Sequence, residues 1–152
     1  GRLDPEGEHG RMMFIGLNPS VRSKLESVWA DPFGKYFEEM LNEAGIKKED
    51  IYFTNVWKYQ TENNRPLTDK EINEGMIELK TEIDFVDPLV IIILGKQIEN
   101  VLQGDNIFRI QHPAYINRNP KEKGRWILEL KKIKKIYDDK RICKESSRAR
   151  NK

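Results

Sequence analysis

The chain reads as an α/β protein, a three-layer α/β/α sandwich around a mainly parallel four-stranded sheet, and three observations carry that expectation. Short apolar runs, "MMFIGL", "DIYFTNVW" and "PLVIIILG", alternate with stretches whose apolar residues recur at helical spacing. One run, "PLVIIILG", is aliphatic throughout, as a strand is when both faces of its sheet are covered. The length, 152 residues with 38% apolar content, suits one modest core in a single domain.

The first run, residues 12–17, ends in Asn-Pro-Ser, as a buried strand does where it enters a loop. A helix is expected over 32–45, where Phe33, Phe37, Met40, Leu41 and Ala44 share a face and Gly45 stops it. A strand at 50–57 leads through "KYQTENNRPLT" to Thr68, which begins a capping box with Glu71 and opens a helix to about Val86. Residues 88–95 form the most buried strand, 96–104 a short helix and 107–111 a last strand. The closing helix spans 120–137, with Trp126, Leu130, Ile133 and Ile136 on one face. The domain is thus expected at 1–137, followed by a basic polar tail at 138–152.

Residues 131–152 hold ten Lys or Arg against Asp138, Asp139 and Glu145, a net of +7 in a chain whose total is +2. Such a segment attracts polyanions, although solubilising ends have the same composition. Cys143 is the only cysteine, which excludes an intramolecular disulfide and any site built from several thiolates of this chain. A reducing, cytoplasmic setting is the default. No apolar run approaches the ~20 residues of a membrane span, and no secretory leader is read, though the chain opens on Gly1.

Sheets of this kind bind ligands at the carboxyl ends of their strands. Four loops lie there, carrying "GLNPS", "TNVWKYQTENNR", "LGKQ" and "QHPAYINR". Three of them place an amide or imidazole at the strand exit: Asn18, Asn55 and His112. A single Asn in such a place ordinarily ends its strand through a side-chain turn. Three at corresponding exits point to a shared site. No Gly-rich phosphate loop accompanies them, which counts against a small-nucleotide-binding domain.

Taken in order over residues 4–137, these segments resemble the uracil-DNA glycosylase superfamily. "FIGLNPS" is similar to its first motif, which puts Asn18 where a residue positions the hydrolytic water and Gly16 and Ser20 beside the base. "DPF" resembles the segment whose phenylalanine, here Phe33, stacks on the flipped base. "YFTNVWKYQTENNRPLT" is similar to the strand end whose Asn, here Asn55, reads the uracil edge, and "VIIILGKQ" to the strand ending in Leu-Gly. "HPAYINRNP" resembles the second motif, where a histidine, here His112, faces the leaving base and an apolar residue four positions on, here Ile116, wedges into the duplex. The wording is nearest to the branch that holds a four-iron four-sulfur cluster, yet two of that branch's cysteine positions carry Tyr59 and Gly75. No cluster, metal or organic cofactor is therefore expected. Asn18 departs from that branch too, and looks like the mismatch-specific and single-strand-selective branches.

The resemblance implies an intracellular, nucleoid-associated monomer that hydrolyses the base–sugar bond of uracil, or of a related deaminated or 5-substituted pyrimidine, in DNA. Cleavage develops negative charge on the departing base, so a preorganised donor at its oxygen, His112, matters most. Asn18 is no general base but orients a water. The amide of Asn55 offers a donor and an acceptor that match O4 and N3–H of uracil and mismatch cytosine. Arg65, Lys96 and Arg118 are expected on phosphates, with Tyr115 and Ile116 in the gap left by the flipped base. Without the resemblance, Phe33 and Tyr115 read as packing, the three cations as solvated surface and Ser20 as a turn cap. The alternative function is a non-catalytic DNA-binding module that recognises a base in the same pocket. His9, in a polar lead segment, has no assigned role.

Overall fold

The computed structural model of the 152-residue chain describes residues 1–7, 11–96 and 102–150. Along them run β1 (Met12–Gly16), α1 (Pro32–Glu43), β2 (Ile51–Asn55), α2 (Asp69–Val86), β3 (Val90–Leu94), β4 (Ile107–Ile110), α3 (Pro113–Arg118) and α4 (Lys123–Arg150). The strands are parallel in the order β2–β1–β3–β4. The chain moves outward from β1 to β2, then crosses to β3 on the other side of β1, and α1 and α2 pack on opposite faces, as the right-handed rule for such crossovers requires. The three layers are those expected.

The two-residue period of the strands explains why both layers form. Met12, Phe14, Val90, Ile92 and Leu94 point to one side, where they join Phe37, Met40 and Leu41 of α1 and Trp126, Leu130 and Ile133 of α4. Met13, Ile15, Ile91 and Ile93 point to the other and meet Leu79 of α2. The helix α2 opens as its sequence predicts. Thr68 Oγ1 accepts the N–H of Glu71 at 3.1 Å, and Glu71 accepts the N–H of Thr68 at 2.9 Å.

Two expectations are corrected. "HPAYINR" is not an open loop but contains α3, because His112 caps it and Pro113, with its fixed φ, suits a first helical position. The closing helix does not stop at Tyr137: α4 continues to Arg150. After Gly124 no Gly or Pro interrupts it, its Lys, Arg and Glu are good helix formers, and Lys144 ties its far half to Asp87 at 3.2 Å. The helix expected over 96–104 falls largely on 97–101, outside the described residues, as does His9. None of the described helices is long and apolar enough to cross a membrane.

One element had no sequence signal. The segment Gly1 to Glu6 runs antiparallel along the free edge of β2 and its exit loop, with Leu3 N–H on Lys58 O at 2.8 Å and Glu6 exchanging two bonds with Phe53 at 3.0 and 2.8 Å. It covers a sheet edge that would otherwise expose unpaired backbone groups.

Candidate active site

At the carboxyl ends of the strands lies a cavity of about 620 Å³, a size typical of small-molecule sites. Every expected site residue except Arg65 and Ile116 lines it.

His112 follows β4 and caps α3. Its Nδ1 accepts the N–H of Ala114 at 3.0 Å, so the neutral ring carries its proton on Nε2. Burial, and then the charge of Arg118, push its pKa from 6.5 down to about 4. At neutral pH the imidazole is therefore uncharged, with Nε2–H as its remaining donor. The ring stacks on Phe33 at 5.1 Å, and Phe33 on the core residue Phe37 at 5.8 Å. Trp126 Nε1 donates to Gln111 O at 2.8 Å. Two helices, α1 and α4, thus hold the histidine and its neighbour in place.

Asn55 ends β2 opposite Gly16 and is only 6% exposed. A Cβ on Gly16 would stand 2.5 Å from Asn55 Oδ1, so glycine is what admits the amide to the cavity. Among the described residues no protein group hydrogen-bonds that amide, while the Asn55 carbonyl accepts from Lys58 Nζ at 2.7 Å. Asn18 donates its Nδ2 to Tyr59 O and Pro19 O, each at 3.3 Å. Its Oδ1 is left as the available acceptor.

Ser20 Oγ accepts the N–H of Arg22 at 3.2 Å, closing a turn, and the residue lines the cavity. The loop after β2 braces the loop after β1. Gln60 Nε2 donates to Ser20 O at 2.9 Å, and Asn64 Oδ1 accepts the N–H of Val21 at 2.8 Å.

Two expected site residues lie elsewhere. Ile116 is 1% exposed within the core, because the turn of α3 that directs Tyr115 outward directs its neighbour inward. Tyr115, 37% exposed, is the member of the pair on the cavity rim. Arg65 forks onto Glu71 at 2.7 and 3.1 Å and holds that carboxyl down at about 2, so it braces the capping box of α2. Lys96 and Arg118 are exposed on the rim.

Sequence reasoning missed Lys58 and Asp31. Lys58 is 1% exposed and pairs with Glu82, whose other oxygen accepts the Tyr52 hydroxyl at 2.8 Å. Nothing in "VWKYQ" signals a buried ammonium, since its partner lies 24 residues on. Asp31, in the "DPF" segment, is 8% exposed in the cavity wall and accepts the N–H of Lys24 at 2.9 Å.

The residues at the two cysteine positions do not fit an iron–sulfur cluster. Tyr59 offers no thiolate, and its ring lies under the Arg2 guanidinium at 5.4 Å and beside Trp57. Gly75 packs on the Val56 carbonyl oxygen, which any Cβ would strike. The lone thiol, Cys143, is exposed on α4, and no three His, Cys, Asp or Glu among the described residues are grouped as metal ligands.

The Uracil DNA glycosylase superfamily, represented by its family model, matches residues 5–138. A type-4 uracil-DNA glycosylase of Archaeoglobus fulgidus is 25% identical, over 88% of this chain and 80% of its own. Another, from Thermotoga maritima, is 30% identical over 72% and 67% respectively. A DNA polymerase of Bacillus phage SP01 is 30% identical over 86% of this chain, a stretch that makes up 16% of the polymerase. The family match takes in all four strands and their exit loops, with the cavity between them, and on that extent the chain belongs to the uracil-DNA glycosylase superfamily.

Proposed function

We propose that the protein hydrolyses the N-glycosidic bond of uracil, or of a related deaminated or 5-substituted pyrimidine, in DNA. The observation that carries the reading is the set of unspent polar groups that three strand exits direct to one cavity: Nε2–H on a neutral His112, the amide of Asn55 and Oδ1 of Asn18. Family membership and the type-4 glycosylase relatives support the same chemistry.

In this mechanism the base leaves the stack and packs against the wall formed by Phe33 and His112. Extrusion costs a few kcal/mol, least for mispaired or single-stranded nucleotides. Asn55 bonds O4 and N3–H, which selects uracil over cytosine. As the base–sugar bond lengthens, Nε2–H of His112 stabilises the negative charge growing on the base oxygen, a term that operates without proton transfer. The water held by Asn18 Oδ1 then meets the cationic sugar carbon. Tyr115, rather than the buried Ile116, fills the vacated gap, while Lys96 and Arg118 take flanking phosphates.

The test is incubation with oligonucleotides carrying a single uracil, 5-hydroxymethyluracil, thymine or cytosine, single- and double-stranded, followed by strand scission at abasic sites. Release of uracil and retention of cytosine is the expected result. Selective binding of the uracil strand with every base left attached would establish the non-catalytic module instead.

A further inference from the structure

A second cavity, of about 490 Å³, adjoins the first. Ser20, Asp31, Phe33, Ala114 and Arg118 form the partition they share. Beyond it the second cavity is lined by Arg22, Tyr36, Asn64 and Asn117. Tyr36 follows Phe33 by three residues on α1, so the two rings neighbour each other along the helix. Asn64 spends its Oδ1 on the N–H of Val21, which leaves its NH₂ as a donor. Among the described residues neither Arg22 nor Arg118 is paired with an acid, and the one carboxylate in the partition, Asp31, has an oxygen committed to the Lys24 N–H. The second cavity is therefore an aromatic platform edged by two unpaired guanidiniums and two amides.

That combination suits one kind of occupant. Cations that track a phosphate backbone beside an aromatic face are how single-stranded nucleic acid is held without regard to sequence. An extruded nucleotide in the first cavity also brings its covalent neighbour to the partition. Resting on the proposed function, we infer that the second cavity is a subsite for the nucleotide next to the extruded one on the same strand. Tyr36 stacks on its base, Arg22 holds its outer phosphate, and Arg118 holds the phosphate that spans the partition.

The experiment uses single-stranded oligonucleotides with one uracil in which the 5′ or the 3′ neighbour is replaced by a baseless tetrahydrofuran residue. Single-turnover cleavage and fluorescence-anisotropy binding are both measured. For the parent protein, removing the neighbouring base on one side should weaken binding and raise the half-saturating protein concentration about tenfold, within what one base–aromatic stack contributes. Removing it on the other side should change them less than twofold. Tyr36→Leu should abolish this asymmetry, and Tyr36→Phe, which keeps the ring and reports on folding, should retain it. Arg22→Gln should weaken intact and baseless substrates alike. Equal response to the two flanks in the parent, or an asymmetry that survives Tyr36→Leu, overturns the subsite. Absence of cleavage on every substrate instead overturns the glycosylase reading, and the flank-dependent binding still decides the subsite.

Discussion

At the residue scale the structure turns His112 from a nameable histidine into a donor of defined state. Its pKa of about 4 lies below the ordinary 6.5 because the ring is buried and faces Arg118. Protonation would put a second N–H on Nδ1, against the Ala114 N–H that it now accepts, so the single-turnover rate should stay level from pH 8 to about 5 and fall toward pH 4, whereas a break centred near 6.5 would show that the ring titrates at its ordinary value. The same shift has a consequence for stability. Between pH 6.5 and 4 the unfolded chain binds a proton that the fold excludes, so the contribution of this group is whole above 6.5 and is lost as pH falls toward 4. His112→Ala should slow the chemical step by about 10²-fold or more with DNA affinity little changed, as loss of an oxyanion donor does. Parental rates in the variant would refute that role. Ser20 sets a second test, since it combines cavity lining with a small side chain. Ser20→Tyr should suppress cleavage of 5-hydroxymethyluracil far more than that of uracil in the same strand context, because a tight pocket rejects an added group at about 1 to 3 kcal/mol. An unchanged ratio would show that Ser20 does not face C5. The three strand-exit residues were legible because sheet topology alone decides where strands end. The outward turn of Tyr115 and the inward turn of Ile116 were not, because they depend on a six-residue helix that its sequence hardly announces.

Apart from the short α3, elements whose signals are local are legible in the sequence, and those whose cause is distant are not. The capping box of α2 lies within four residues, and the buried run of β3 is contiguous, so both were legible. The far half of α4 was not, because a charged surface helix and a solvated tail share a composition until a contact such as Lys144 to Asp87 decides between them. The link between β2 and α2 shows the same limit. Lys58, buried beside the carbonyl of Asn55, answers to Glu82 on a helix formed later in the chain. Lys58→Met removes one partner and leaves the Glu82 carboxylate facing apolar surface, a change that costs about 3 kcal/mol when a buried pair is broken. Adding Glu82→Leu should recover most of that loss, because replacing both partners by apolar groups avoids the stranded charge. Urea melts of the two variants decide the matter: a single variant as stable as its parent would mean that the pair is solvated in practice.

For the molecule as a whole the question is which of its cations meet DNA. By composition the answer is the segment 131–152, with its net of +7. The fold moves that charge away from the site. Lys144 pairs with Asp87, which stands just before the amino end of β3, whereas the cavity opens at the carboxyl ends of the strands. The basic end of α4 therefore reaches the opposite pole of the sheet, and α4 begins near the site only with its first turns beside α3. The cations on the cavity rim are Lys96 and Arg118. Each phosphate contact contributes about one to the slope of log affinity against log salt concentration. Lys96→Gln and Arg118→Gln should each flatten that slope by about one for a uracil-containing strand, and the effects should add, since the two residues belong to different exit loops. Replacing Arg148 and Arg150 together with Gln should leave the slope and the single-turnover rate as they are. If that pair flattens the slope by about two while the rim variants do not change it, DNA lies along α4 and the cavity rim is not its track.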